Sequence, residues 1–143
     1  MERLKRVAKA EGVFDPATGG AEALRFRDEI AKLEVDVVAL EMLVLRVLSA
    51  EKSGKQTLDI AGLLKIRGSE IQQRYSELMM LSAGPFSLPF VFEAREAGWE
   101  GDHVGAAHCA PLASTYFNMR KTTIYGGSNE IQKNIIAQMI LGL

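Results

Sequence analysis

Between about Glu22 and Ala50, the apolar residues Phe26, Ile30, Leu33, Val37, Leu40, Val44 and Val47 recur in alternating steps of four and three. That spacing lines them along one stripe of an α-helix but scatters them over both faces of a strand, so it dictates a helix with a bundle seam. Val38, Leu45 and Leu48 widen the stripe, as burial on two sides would require. At about 1.5 Å per residue such a helix is about 40 Å long, and it needs helical neighbours.

The flanking sequence supplies them. Met1 to about Glu11 reads as a short amphipathic helix ended by Gly12, with Arg3, Lys5, Arg6 and Lys9 on its wet face. Val13 to Gly20 reads as a loop by its Pro and Gly content. Ser53-Gly54-Lys55-Gln56 closes the long helix, and Thr57 is a cap for the next. That helix runs to about Ser82 with Ile60, Leu64, Ile71, Tyr75 and Leu78 inward. Gly62 and Gly68 weaken it by about 1 kcal/mol each relative to alanine, and a close helix crossing is the usual reason to keep them. Ala83-Gly84-Pro85 stops it. Residues 84–106 form a long loop of the kind that is often functional. A further helix runs from Ala106 or Pro111 to Thr122, and a last one ends the chain. With no strand pattern the expected fold is an all-α bundle.

At 143 residues, 48% hydrophobic and 24% charged, the chain is one globular domain. A net charge of −1 gives no electrostatic case for nucleic acid or an acidic membrane. No apolar run reaches the about 18 residues of a membrane span and no signal-peptide core is present, so a cytoplasmic protein is expected. Cys109 is the sole cysteine, which excludes an internal disulfide and reads as an inert thiol. His103 and His108 are five apart, a poor spacing for two ligands on one helix face, so no metal ligands are expected. Arg120 reads as solvated helix surface or as a cation facing a thioester or phosphate.

The most informative stretch is Thr123-Ile124-Tyr125-Gly126-Gly127-Ser128-Asn129-Glu130-Ile131-Gln132-Lys133-Asn134-Ile135-Ile136-Ala137. The paired glycines permit backbone angles closed to other residues and let backbone approach a ligand. Ser128 or Asn129 caps the helix, and Asn129 to Gln132 has capping-box spacing. Ile131, Ile135, Ile136, Met139 and Ile140 follow at helical spacing. A glycine-hinged helix start suits phosphate or an electron-rich carbonyl, although on these residues alone it is an ordinary helix–turn–helix junction.

From Ile124 to Ala137 this stretch resembles the C-terminal signature of the acyl-CoA dehydrogenase family of flavoproteins. In spelling it is closest to the large subunits of bacterial pimeloyl-CoA-type dehydrogenases. The resemblance implies a four-helix up-down bundle, the C-terminal helical domain of that family, over residues 1–143. It implies an N-terminal helical domain and a middle β-domain that this sequence does not contain, and hence a piece inactive by itself. It implies FAD as cofactor, an acyl-CoA thioester as substrate oxidised to the 2,3-enoyl-CoA, and a homo-oligomer or paired dehydrogenase subunit as assembly. By motif position Gly127 is the substrate contact, and Ser128, Asn129 and Glu130 are the FAD contacts. The family's catalytic carboxylate commonly follows the motif's Tyr, where this sequence has Gly126. The base therefore lies upstream, or the chain is a non-catalytic partner subunit or helical oligomerisation module. The family's Arg-Phe-Gly before the long helix is replaced by Asp15-Pro16-Ala17-Thr18-Gly19-Gly20, and its glycine-rich FAD turn by Leu81-Ser82-Ala83-Gly84-Pro85.

Overall fold

A computed structural model describes residues 1–12, 15–52 and 58–142. The expected Ser53–Gln56 turn and Thr57 cap, and Val13-Phe14 of the first loop, lie outside the described residues. Among those described the chain is all-helical. The described residues form five α-helices: α1 (Glu2–Glu11), α2 (Pro16–Lys52), α3 (Leu58–Ser82), α4 (Leu112–Met119) and α5 (Asn129–Ile136). Short 3-10 turns punctuate the segment between α3 and α4, and α5 ends in a π-helical turn, Ala137–Leu141. No helix among the described residues is long and apolar enough to cross a membrane.

The chain divides into two units. The first comprises Met1–Leu33 and Gln73–Arg120, the second Glu34–Gln72 and Lys121–Leu143. Helices α2 and α3 contribute to both.

The first unit holds nearly all the apolar core. Leu4 and Val7 of α1, Phe26, Ile30 and Leu33 of α2, Leu78 and Met79 of α3, and Leu112 and Ala113 of α4 are all buried. Helix α1 ends at Gly12, whose φ of 62° is the left-handed closure expected there. The expected loop before α2 instead contains a helical turn. Asp15 Oδ1 accepts from the Ala17 N–H at 2.8 Å and Pro16 occupies the first helical position, the ordinary chemistry of a helix start. Gly20 (φ 53°, ψ −133°) then breaks the helix, so the continuous part begins where the apolar seam predicted. Arg74 fastens α3 to α2 through Glu29 at 2.5 Å, and a second bond to Glu77 of α3 itself, at 2.6 Å, holds its guanidinium in place. Arg120 is half-buried and turned onto neighbouring helices rather than out as solvated surface: its Nη2 donates to Gln73 O at 2.8 Å and its guanidinium stacks on Tyr116.

The second unit is built differently. Ile66 is its one buried hydrophobic residue among those described, beside buried Ser69, Thr122 and Asn129. The expected two-sided burial of α2 fails here, because Val38, Leu45 and Leu48 are all at least half exposed. Val35, Met42, Ile131, Met139, Ile140 and Leu141 are exposed as well. Arg67 joins α3 to α2 through Asp36 at 2.6 Å.

The two helical glycines of α3 serve different ends. A Cβ at Gly62 would lie 2.9 Å from Gln132 Oε1 and 3.4 Å from Ile136, so α5 crosses there as the sequence suggested. A Cβ at Gly68 would meet nothing within 4 Å. Gly68→Ala should therefore stabilise the chain by about 1 kcal/mol, the full helix-propensity difference. Gly62→Ala should gain less, because it must push Gln132 aside. Paired thermal melts check this, and equal gains would contradict it.

Candidate functional site

The chain leaves α4 through a 3-10 turn, Arg120–Thr123, and Tyr125 N–H still reaches back to Lys121 O at 3.3 Å. Gly126 and Gly127 then take φ of 68° and 84°, the left-handed region that a side chain disfavours. These two residues turn the backbone into α5. A Cβ at Gly126 would meet nothing within 4 Å, whereas one at Gly127 would lie 2.7 Å from Gln132 Nε2.

Ser128 is the N-cap, with its Oγ accepting from the Ile131 N–H at 3.4 Å. The expected Asn129–Gln132 capping box does not form. With Ser128 as cap, Gln132 falls one position too late, and its Nε2 donates instead to Gly126 O at 3.4 Å. Asn129 is turned inward and only 6% exposed. Its Oδ1 accepts from Lys65 Nζ at 2.7 Å and its Nδ2 donates to Ser69 Oγ at 3.2 Å. Ser69 spends its single hydroxyl proton on Ile66 O at 2.8 Å, so it accepts from Asn129 rather than donating to it. Lys65 Nζ also donates to Thr123 O at 3.1 Å.

Glu130 is exposed in the first turn of α5. Its own backbone N–H and then the Ser128 hydroxyl hold its carboxyl below the ordinary value. With the folded pKa depressed, the contribution to stability is complete above the unfolded value of 4.5 and fades as pH falls through the folded value. Glu130→Gln should flatten the stability profile in that acid window and lower stability near neutrality, where the carboxylate's contribution is fully present. Urea titrations at several pH values check this, and an unaltered acid slope would contradict it.

Beside Gly126 lies a cleft of about 250 Å³. Leu64, Lys65, Gly68 and Ser69 of α3 form one wall, and Thr122, Tyr125 and Gly126 another. The bare backbone of Gly68 and Gly126 leaves the cleft open. Among the described residues, Lys65 and Tyr125 are its ionisable lining and no carboxylate or histidine lines it. The turn predicted from sequence therefore does adjoin a cleft, with Gly126 on its wall. Lys65, Gly68 and Ser69, about 60 positions upstream, were not anticipated as part of it. Their one sequence signal was a glycine in a helix interior, which read as a helix crossing.

Comparison with known proteins identifies the family. The family described as acyl-CoA dehydrogenase, C-terminal domain, matches residues 2–141. Two curated relatives named acyl-CoA dehydrogenase IpdE1, from Mycobacterium tuberculosis and Mycolicibacterium smegmatis, are each 68% identical over 28 residues. That stretch covers 20% of this chain and 7% of each relative. No solved structure matches the chain. Because the family match runs through every helix described above, the chain belongs to the acyl-CoA dehydrogenase family, as its C-terminal domain.

Proposed function

We propose that this chain is the C-terminal helical wall of a FAD-dependent dehydrogenase that oxidises an acyl-CoA thioester to the 2,3-enoyl-CoA. The observation that carries the reading is the Gly126–Gly127 turn, which sets bare backbone on an open cleft at the start of a capped helix. A cleft of about 250 Å³ takes one end of a ligand, such as a ring edge or a thioester. Pockets that enclose a whole ligand run from about 300 to 1,000 Å³, so the rest of FAD and of coenzyme A would lie on other parts of the protein.

Bound flavin would supply the hydride acceptor. Gly127 then meets the substrate, and Ser128, Asn129 and Glu130 meet FAD. Because the Asn129 side chain is engaged by Lys65 and Ser69, its share is its backbone N–H at the positive end of α5. Lys65 Nζ, held by two oxygens, sets a cation on the cleft wall where negative charge develops on a thioester or flavin. The proton acceptor is not on this wall. Gly126 has no such group, and Glu130 is held by its own amide and Ser128. A carboxylate elsewhere in the complete protein fills that role, in keeping with a helical domain over residues 1–143 that is inactive alone; the five α-helices described replace the expected four-helix up-down bundle.

A second reading, a partner subunit or oligomerisation module, is favoured by the exposed apolar residues of the second unit. Such a surface asks for cover, and the same chain is a sufficient partner. Sedimentation of the purified chain should show self-association, and a clean monomer at high concentration would count against it.

The test of the enzymatic reading is anaerobic. Acyl-CoA added to the complete flavoprotein should bleach its oxidised flavin absorbance, while the isolated chain should be colourless and reduce no acceptor. A complete protein whose flavin stays oxidised with every acyl-CoA offered would contradict the proposal.

A further inference from the structure

We propose that Glu11, His108 and Cys109, in the first unit, bind one Zn²⁺ ion. Glu11 is the last residue of α1, and His108 and Cys109 end the 3-10 turn Ala107–Cys109. Their ligand atoms lie within 4.8 Å of one another. His108 Nε2 is 2.6 Å from Glu11 Oε1, and Cys109 Sγ is 3.8 Å from the same oxygen.

Three features point to a metal rather than to an ion pair alone. First, Glu11 sets a carboxylate, 11% exposed, at a helix C-terminus, where the backbone carbonyls already carry partial negative charge. That location calls for a cation. Second, a Glu–His contact has no use for a thiol, yet the wholly buried Cys109 points its sulfur at the same carboxylate oxygen. Third, sulfur, imidazole nitrogen and carboxylate oxygen together form a borderline-soft donor set, suited to zinc and unsuited to Ca²⁺ or Mg²⁺.

The two distances to Glu11 are close to those required, and the His108–Cys109 separation is within 4.8 Å. Zinc bonds of about 2.0–2.3 Å at tetrahedral angles hold ligand atoms about 3.3–3.7 Å apart. The Glu11–His108 contact must open by less than about 1 Å, and the Glu11–Cys109 distance is already near its target. His108, about one-third exposed, gives the ion a route in, and water completes the fourth position. On binding, the Cys109 thiol proton leaves to solvent, the neutral His108 ring binds through Nε2 with its proton on Nδ1, and no electrons move. The ion would tie the end of α1 to a turn 97 positions away.

The test titrates the full chain with Co²⁺ as the probe. The expected result is one Co²⁺ per chain with a thiolate-to-cobalt charge-transfer band, displaced by Zn²⁺, and a Tm raised by Zn²⁺. Glu11→Gln and His108→Gln preserve side-chain size. Each should weaken binding by at least the about tenfold that loss of an outer-shell partner costs. Cys109→Ser should remove the band. A wild-type chain without the band at saturating Co²⁺ would overturn the proposal, whether or not the variants fold. So would binding and a Tm gain that survive in Glu11→Gln/His108→Gln.

Discussion

Replacing Asn129 with alanine should lower stability by about 2 kcal/mol, a large loss for a unit with so little buried apolar surface. Its side chain is the hub of the polar cluster in the second unit, bonded to Lys65 at 2.7 Å and to Ser69 at 3.2 Å. Hydrogen bonds to charged groups contribute about 1.5–3 kcal/mol, and a buried partner left alone costs its desolvation. Ile66 is the one buried hydrophobic residue described in that unit, so little else compensates. Urea unfolding should show a lowered midpoint, and hydrogen exchange should show α5 amides losing protection before those of α4. Asn129→Asp, which keeps an acceptor for Lys65 and loses the donor to Ser69, should fall between the two. A midpoint unchanged in Asn129→Ala would mean that α5 is held by something else.

Gly127→Val should be as severe, for a different reason. A β-branched residue at φ 84° is a steric outlier, costing about 1–3 kcal/mol. Its Cβ would also stand 2.7 Å from Gln132 Nε2, displacing the group that bonds Gly126 O. Gly126→Ala, at φ 68° with open space around it, should cost only the backbone part, about 1–2 kcal/mol. In the complete flavoprotein Gly127→Val should abolish acyl-CoA-dependent bleaching. Full bleaching at wild-type rates would remove Gly127 from the substrate site.

The helices were legible where short-range rules act alone. The seam from Phe26 to Leu33 is buried as its periodicity required, and Gly12 closes α1. The same periodicity from Val37 onward could not reveal that its flank stays exposed, because pattern fixes the helix face and not the neighbour that covers it. The Asp15-Pro16 helix start was hidden beneath a Pro- and Gly-rich composition that reads as loop, although a cap residue before proline is itself a start signal. The glycine turn and its capped helix were readable. The inward aim of Asn129 was not, since it depends on Lys65 and Ser69, and neither was the approach of Glu11 to His108. Such contacts are set by tertiary packing, which spacing along the chain does not encode.

The central claim is that the cleft beside Gly126 receives the reacting end of the flavin–thioester pair, and Gly68→Leu in the complete flavoprotein tests it most directly. Gly68 is a helical residue with nothing within 4 Å of a Cβ, so leucine should be accepted by the fold while filling the cleft. The account predicts an unchanged or raised Tm with acyl-CoA turnover lowered at least about tenfold, as an about 1.4 kcal/mol penalty on the bound state would give. Wild-type turnover in a folded, flavin-loaded Gly68→Leu protein would contradict it.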